Sequence, residues 1–414
     1  MKIFRNETVL EAALNRIRML FDEFENVVIG MSGGKDSTVV FNLALQVAKE
    51  KNRLPLSVMW VDQEAEWQGT VDFVTKVMQR EDVKPYWYQM PMVITNNASS
   101  YNRYNYCWNE EDREKWVHPQ NPLSIKENKY GTIRFHELFE KIFAVEFKGQ
   151  KSCYLAGVRT EEAPKRFMAL TDGITYKYIT WGKTLNKEMQ HYTFYPIYDW
   201  SYTDVWKYIV DNNADYNRIY DEYYRHGVPV KDMRVSNVHH ETAIQSLMLI
   251  QEIEPKTWER IVQRIDGANT IKHIKKNAFV CPKELPPMFK DWEEYAVYLA
   301  NNIIQEEKYK SMMLHKIEHM KPVYGEGLIA HDFWKTVINT ILSSDWDFTK
   351  LSNWKISGEV DTYRRVHNAY KDKREKRYLL AMLKSMKYLT SEEKNEVINY
   401  FKNERTKRAN QNEV

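Results

Sequence analysis

Short apolar runs alternate with segments of helical periodicity along the N-terminal half of the chain. Four apolar runs predict strands: NVVIGM, LPLSVMWVD, KPYWYQM and SCYLAGV. Four segments repeat apolar residues every three to four positions and predict helices: ETVLEAALNRIRMLFDEF, STVVFNLALQVAKEK, WQGTVDFVTKVMQRE and IRFHELFEKIFAVEF. This alternation predicts an α/β fold with a doubly wound, mostly parallel sheet that helices cover on both faces.

The carboxyl ends of the predicted strands are the expected place for a ligand, because doubly wound sheets bind ligands beyond those ends. The four strands end near Met31, Asp62, Met90 and Gly157. We therefore expect the functional site to be built around these four positions.

The pattern changes from about residue 242 onward. Four further segments there have helical periodicity: TAIQSLMLIQEI, KTWERIVQRIDGA, WEEYAVYLANNIIQEEKYKSMMLHKIEHM and HDFWKTVINTILSS. The sequence therefore predicts a first domain over residues 1–241 and a mostly helical second domain over residues 242–414. A length of 414 residues fits two to three domains.

Residues 96–130 form a long polar stretch inside the first domain. Loops of this length are usually functional or disordered, and the many aromatic residues here argue against disorder. A flap over the site and a structural insertion are the two alternatives for this stretch.

Composition limits the class of protein. No run approaches 18 apolar residues, so we expect no membrane span. The N-terminal segment MKIFRNETVLEAALNRI lacks the apolar core of a signal peptide, so we expect a cytoplasmic protein. Cys107, Cys153 and Cys281 lie far apart without a CxxC pair, which argues against a disulfide framework, an iron–sulfur cluster and a zinc site.

The C-terminal tail is basic although the whole chain has a formal charge of only +3. From Arg364 onward it carries 14 Lys or Arg and 7 Asp or Glu residues. Such a tail indicates contact with nucleic acid or with an acidic protein, and Tyr363, Tyr370 and Tyr378 are candidates to stack on bases. The alternative is an ordinary amphipathic helix with a solvated charged face.

The turn SGGKDS, residues 32–37, is the strongest chemical signal in the sequence. Gly33 and Gly34 let the backbone bend sharply and approach a ligand closely. The free N–H groups at the start of the following helix favour an anion. Side chains that can bind phosphate surround the turn: the hydroxyls of Ser32, Ser37 and Thr38, and the ammonium group of Lys35. The turn therefore predicts a phosphate-binding site.

This turn is not a Walker A loop, because Gly34-Lys35 is followed by Asp36 instead of Ser or Thr. Phosphates would repel the Asp36 carboxylate unless a cation lay between them. We therefore expect Asp36 to help hold Mg²⁺.

SGGKDS after VVIGM resembles the PP-loop of the ATP pyrophosphatases, which are adenine nucleotide alpha-hydrolases with a Rossmann-like fold. LAGVRTEEAPKR, FYPIYDWSYTDVWKYI and YNRIYDEYYRHGVP resemble motifs of the phosphoadenosine phosphosulfate (PAPS) reductase family and follow in the same order. The added helical domain resembles the prophage-associated branch of proteins like immunoglobulin-binding regulator A. That branch implies a ParB-like or sulfiredoxin-like protein partner and a role in regulating prophage genes.

The resemblance implies that ATP, or PAPS, is bound with its β,γ-pyrophosphate on the turn and its α-phosphate open to attack. The residues implied in binding are Ser32, Gly33, Gly34, Lys35, Ser37, Thr38, Asp62, Arg159 and Arg166. Lys35, Asp36 and Arg159 are the candidates for catalysis, which would stabilise charge as pyrophosphate leaves.

Several side chains near these candidates have two readings. Arg159, Lys165 and Arg166 either grip an anion or form an exposed basic loop. Glu64 and Glu66 either join Asp62 in a metal site or lie on a solvated loop. Cap-type residues in the DWSYTDVW segment indicate a helix start, so we expect that motif to be structural.

One departure from the family pattern concerns the reaction. Sulfonucleotide reductases attack sulfur with a cysteine in a Glu-Cys-Gly-Leu-His context, and no such motif occurs in this sequence. Three function classes therefore remain: an enzyme that hydrolyses ATP at its α-phosphate or transfers AMP, a PAPS reductase, and a nucleotide-bound regulator. The acceptor and the oligomeric state stay open.

Overall fold

The computed structural model describes residues 6–371, except residues 97–98, 100–101, 103, 163, 172, 236–243, 270–279, 305 and 328, and in addition Asn395 and Asn399. The chain forms two compact units. The first comprises Met1–Ser99 and Tyr104–Lys272, and the second comprises Ser100–Arg103 and His273–Val414.

The first unit is built on parallel strands. Its strands are β1 (Asn26–Gly30), β2 (Leu56–Val61), β3 (Val83–Tyr88), β4 (Met92–Thr95), β5 (Tyr104–Cys107), β6 (Ser152–Leu155), β7 (Gly182–Asn186) and β8 (His191–Phe194). Six of them form one sheet in the order β3-β2-β1-β6-β8-β7, in which only the β7–β8 pair is antiparallel. The predicted mostly parallel sheet is confirmed.

The sheet contains two strands that the sequence pattern did not predict. β7 and β8 have only five and four residues, too few for a periodic pattern to stand out. The four predicted strands correspond to β1, β2, β3 and β6.

β1 lies at the point where the strand order reverses. The chain runs from β1 outward to β2 and β3 on one side, and to β6 and β8 on the other. Ile29 of β1 is paired with Val58 of β2 and with Leu155 of β6. A crevice therefore opens between the carboxyl ends of β1 and β6, where sheets of this kind bind ligands.

Helices cover both faces of the sheet. The first unit contains α1 (Val9–Glu23), α2 (Lys35–Glu50), α3 (Gln68–Met78), α4 (Phe135–Glu146), α5 (Pro164–Thr171), α6 (Tyr202–Asp211), α7 (Ile219–Arg225), α8 (Ile244–Ile253) and α9 (Pro255–Arg264). Val27 and Ile29 of β1 belong to the core that α1 and α2 cover, whereas Val28 belongs to the core that α4 covers. Successive side chains of β1 therefore point alternately to the helices on one face of the sheet and to the helices on the other.

The stretch at 96–130 contributes structure of its own. β5 pairs antiparallel with β4, and a short 3₁₀ helix follows at Glu110–Lys115. Trp108, Trp116 and Tyr130 are buried in the core on the α4 side of the sheet. Of the two alternatives for this stretch, these contacts fit the structural insertion.

The first unit continues past residue 241, where the sequence pattern placed the domain boundary. Trp258 and Ile261 of α9 are buried in one cluster with Ile219 and Tyr223 of α7. Helical periodicity shows that α9 has an apolar face, but it does not show which neighbour buries that face.

The second unit is helical in the part that the structure describes. Its helices are α10 (Trp292–Asn302), α11 (Glu307–Tyr324), α12 (Ala330–Leu342), α13 (Thr349–Lys355) and α14 (Gly358–Lys371). Tyr363 is only 6% exposed and packs in the core of this unit, so it is not available to stack on bases. The side chain of Tyr370 and the tail residue Tyr378 lie outside the described part of the chain.

No helix among the described residues combines the length and the apolar character that a membrane crossing requires.

Candidate functional site

The glycine-rich turn connects β1 to α2 at the sheet's switch point. α2 begins at Lys35, with Gly34 as its N-cap. Gly33 has a φ of +72°, and a Cβ atom there would lie 2.6 Å from Thr70 Cγ2. Both its left-handed backbone and its close approach to α3 therefore require glycine.

The hydroxyl groups of the turn first satisfy the turn itself. Ser37 and Thr38 each donate to the Gly34 carbonyl oxygen at 2.9 Å, and the Oγ atoms of Ser32 and Ser37 lie 3.2 Å apart. Ser32 and Ser37 also line a cleft of about 700 Å³, whereas Thr38 does not and is only 1% exposed. Thr38 therefore lies beside the candidate site as a support for the turn.

The cleft brings most of the predicted site residues together. Its lining includes Ser32, Gly34, Lys35, Asp36, Ser37, Arg159 and Arg166. Trp60 and Tyr154, from β2 and β6, contribute to an apolar part of the wall. Within 96–130, none of the residues that the structure describes lines this cleft. A site with an anion-binding turn and aromatic side chains suits a ligand that combines phosphates with a ring.

Internal ion pairs occupy three cations of the cleft, Lys35, Arg159 and Arg166. The Asp36 carboxylate is held by the Lys35 ammonium group at 3.0 Å and by the Arg159 guanidinium group. Arg159 also donates to Glu161 at 2.9 Å, and Arg166 pairs with Glu162. An anionic ligand must therefore compete with carboxylates for these cations.

Arg159 stays charged although it is 4% exposed. Burial favours its neutral form, but the negative charge of Asp36 and the hydrogen bond to it outweigh burial and raise the pKa of the guanidinium group. The side chain is a permanent buried cation at the cleft. Lys165, the third predicted basic residue of this loop, has a side chain outside the described atoms.

Gly157 brings the loop after β6 against the first turn of α2. A Cβ atom at Gly157 would lie 2.6 Å from the carbonyl carbon of Asp36 and 2.7 Å from the backbone nitrogen of Ser37. Because both neighbours are backbone atoms, they cannot rotate away. The geometry of the turn therefore depends on the missing side chain at Gly157.

Tyr220 on α7 is a site residue that the sequence analysis did not find. Its hydroxyl accepts the backbone N–H of Lys35 at 3.0 Å, and its ring lies 5.6 Å from the Lys35 ammonium group. Burial raises the pKa of Tyr220, so the hydroxyl keeps its proton and can also donate to a ligand. The YNRIYDEYYRHGVP motif contains this residue, but only the fold shows that it reaches the turn.

Asp62 does not reach the cleft. Its carboxylate is fully buried, accepts hydrogen bonds from Trp87 Nε1 at 3.1 Å and Gln89 Nε2 at 2.8 Å, and lies 3.4 Å from His118 Nε2. The expectation that Asp62 contacts the nucleotide is corrected by this packing. Position at a strand end was predicted rightly, but the side chain is turned into the protein.

The acidic trio of Asp62, Glu64 and Glu66 is split by the fold. Glu64 forms a buried ion pair with Arg264 at 2.6 Å, and of the three only Glu66 lines the cleft. Among the residues that the structure describes, no group of three or more His, Cys, Asp or Glu side chains has the arrangement of a metal site. The described structure therefore does not bring the trio together as a metal site.

Most of the DWSYTDVW segment is structural, although its Tyr202 lines the cleft. Ser201 caps α6 and forms a reciprocal capping box with Asp204, while Asp199 pairs with Arg16 of α1 at 2.6 Å. Trp200 is buried and donates to the Val9 carbonyl oxygen at 3.0 Å. The motif ties α6 to α1.

The cysteines are poorly placed for nucleophilic chemistry. Cys107 and Cys153 are completely buried, and burial raises the pKa of both thiols. Cys281 is partly exposed, and burial raises its pKa as well. Since the thiolate is the nucleophile, none of the three is activated in this structure.

Alkylation should reproduce this order of accessibility. Iodoacetamide is expected to label Cys281 slowly in the native protein and to leave Cys107 and Cys153 unmodified, which mass spectrometry of peptides would show. The control is the same reaction in denaturant, where all three thiols should react. Rapid native labelling of Cys107 would contradict the burial described here and would bring back a thiol mechanism.

Known families match the two halves of the chain in sequence. Residues 26–226 match the family model of the phosphoadenosine phosphosulfate reductase domain. Residues 227–388 match a domain of unknown function, DUF3440. The N-terminal half is therefore similar in sequence to the family whose motifs it resembles.

Two relatives align over much of the chain. The uncharacterized protein YbdN of Escherichia coli (strain K12) is 28% identical over 392 residues, which cover 89% of this chain and 95% of the relative. The uncharacterized protein MJ0973 of Methanocaldococcus jannaschii is 22% identical over 294 residues, which cover 69% of this chain and 60% of the relative.

Solved structures with a similar arrangement include two nucleotide enzymes. An FMN adenylyltransferase of Candida glabrata, in complex with FAD and inorganic pyrophosphate, aligns at a TM-score of 0.32 and 13% identity over 53% of this chain. This chain spans less than two-thirds of that enzyme, 64% of its length. A PAPS reductase from Candida auris, in a phosphate complex, aligns at a TM-score of 0.32 and 15% identity, over 53% of this chain and 93% of that one.

Proposed function

We propose that the first unit binds ATP on the glycine-rich turn and cleaves it, or transfers AMP from it, at the α-phosphate with release of pyrophosphate. The observation that carries this proposal is the turn itself: a left-handed Gly33 and the start of α2 lie at the switch point of the sheet, beside a cleft lined by Lys35 and Arg159. The match of residues 26–226 to the phosphoadenosine phosphosulfate reductase domain supports a nucleotide as the ligand.

The chemistry proposed for the protein is electrostatic. Lys35 and Arg159 would neutralise the charge that develops on the leaving pyrophosphate, and Tyr220 would donate its hydroxyl proton in a hydrogen bond. Both cations are paired with Asp36 in the structure. Binding therefore requires that the phosphates replace the Asp36 carboxylate as their partner.

Asp36 is the residue proposed to hold Mg²⁺. Once its two cations bind phosphate, its carboxylate is left beside the ligand, and Mg²⁺ is commonly held by one or two carboxylates together with substrate phosphates. Bound there, the ion would add positive charge next to the phosphates. The position of the Asp36 carboxylate at the start of α2 fits this mode of binding.

PAPS is the alternative ligand, because the matching domain takes its name from that nucleotide. Reduction of PAPS is the less favoured reaction, since the buried cysteines supply no activated thiol. The branch of immunoglobulin-binding regulator A-like proteins, with its ParB-like partner and action on DNA, remains a prediction from the sequence.

The test is pyrophosphate release. Purified full-length protein with ATP and Mg²⁺ should release pyrophosphate, and mass spectrometry should identify AMP or an adenylated acceptor added as a candidate. Thioredoxin-dependent sulfite release from PAPS would favour the reductase instead. Failure to bind ATP in calorimetry would contradict the proposal.

Lys35→Met should weaken ATP binding by about 10- to 100-fold, because it removes a charge-assisted contact worth about 1.5–3 kcal/mol. Lys49→Met is the matched control, since Lys49 lies in the last turn of the same helix and pairs with Asp82 at the surface. Equal affinities for the two variants would show that phosphates do not bind at the start of α2.

A further inference from the structure

Arg234 lies after α7 in a short segment, Asp232 to Val235, that lines the cleft. A 3₁₀ turn at Val230–Asp232 leads into Met233, whose backbone is extended. Met233, Arg234 and Val235 all line the cleft, but Met233 and Val235 are only 2% and 1% exposed and pack in the core around Tyr223, whereas Arg234 is exposed. Of these three residues, Arg234 alone brings a charged side chain to the cleft.

The backbone of this segment is fixed close to the glycine-rich turn. The Tyr223 hydroxyl donates to the Arg234 carbonyl oxygen at 2.6 Å. A Cβ atom at Gly34 would lie 4.0 Å from Val235 Cγ2. The Arg234 backbone therefore lies next to the turn that is proposed to hold pyrophosphate.

Arg234 differs from the other cations of the cleft in its partners. Lys35 and Arg159 are paired with Asp36, and Arg166 is paired with Glu162. No carboxylate of the described residues lies within ion-pair distance of the Arg234 guanidinium group, although Asp232 lines the same cleft. As far as the described residues are concerned, an incoming anion has no carboxylate to displace from Arg234.

We propose that Arg234 binds the terminal phosphate of the nucleoside triphosphate and makes the cleft selective for triphosphates over monophosphates. A guanidinium group presents two parallel N–H donors that match two phosphate oxygens. The inference rests on the proposed function, because that function places pyrophosphate on the adjacent turn. It assigns a ligand contact to a residue outside the segment that matches the reductase domain.

Calorimetry on the full chain with Mg²⁺ tests the inference. Arg234→Gln should lower the affinity for ATP about 10- to 100-fold and leave the affinity for AMP unchanged. Arg234→Lys should lower the ATP affinity less than Arg234→Gln does, because an ammonium group keeps the positive charge but lacks the two parallel N–H donors of a guanidinium group. Arg225→Gln is the control: Arg225 is an exposed residue of the same unit, pairs with Glu222 and does not line the cleft.

The outcomes separate this inference from the proposed function. Unchanged ATP affinity in Arg234→Gln, with normal ATP binding by the unaltered protein, overturns the role of Arg234 alone. An equal loss for ATP and AMP also overturns it, as does a loss seen with adenosine 3′,5′-bisphosphate but not with ATP. No ATP binding by the unaltered protein overturns both.

Discussion

Replacing Arg264 with methionine should destabilise the first unit by about 3–5 kcal/mol, because it leaves a buried charge without its partner. Glu64 is 0% exposed, and its carboxylate lies 2.6 Å from Arg264 Nε and 3.1 Å from Arg264 Nη2. The Trp108 backbone N–H is the other donor to this carboxylate, at 2.7 Å. Urea denaturation followed by tryptophan fluorescence would measure the loss.

The loss should depend on pH. Burial raises the pKa of Glu64, and Arg264 opposes that rise, so the pKa should climb further in the variant. When a carboxyl group has a higher pKa in the folded state than in the unfolded state, the protein becomes less stable as pH rises from the unfolded-state pKa to the folded-state pKa. The deficit of Arg264→Met should therefore be larger at pH 8 than at pH 5.

Two further variants define this result. Arg260→Met, one turn earlier on α9, removes only a 3.3 Å hydrogen bond to the Trp116 carbonyl oxygen and should cost about 1 kcal/mol or less. Adding Glu64→Gln to Arg264→Met should recover much of the stability, because the buried group is then neutral. A small, pH-independent effect of Arg264→Met would show that the buried Glu64 carboxylate does not depend on Arg264 as its charge partner.

Gly157→Val should abolish measurable ATP binding under the proposed function. A Cβ atom at this position meets three backbone atoms of Asp36 and Ser37 at 2.6–2.8 Å, so the start of α2 must move. Overpacking of this kind costs about 1–3 kcal/mol even for one added methyl group, and valine adds more. Calorimetry with ATP and thermal unfolding would be measured side by side.

Gly173→Val is the control for the glycine substitution, because a Cβ atom at Gly173 has no described neighbour within 4 Å and its φ is not left-handed. Gly157→Ala provides a milder clash if the valine variant does not fold. A folded Gly157→Val protein that binds ATP normally would show that the nucleotide does not depend on the geometry of this turn.

Local patterns in the sequence were enough for the sheet and its turn. Each of β1, β2, β3 and β6 is an apolar run next to a helical repeat, and both signals lie within about 15 neighbouring residues. The phosphate-binding turn was equally visible, since Gly33 and Gly34 lie between a strand and a helix. The requirement for glycine at position 33 arises from its own backbone angle and from the adjacent α3.

Side-chain direction was beyond the reach of those patterns. Asp62 follows β2 at the correct edge of the sheet, yet Trp87, Gln89 and His118 draw its carboxylate into the protein. The sequence pattern locates the end of the strand. The direction of the Asp62 side chain depends instead on the hydrogen-bond donors that neighbouring strands and loops offer to its carboxylate.

Only the tertiary structure decided the remaining partners of the site. Tyr220 meets Lys35 across 185 residues, and Arg264 meets Glu64 across 200. Contacts between residues so far apart produce no periodic pattern in the sequence, because they depend on how the helices pack against the rest of the fold. The sequence by itself determined the strands, the helices and the phosphate-binding turn; packing decided which charges face the cleft and which are paired inside the protein.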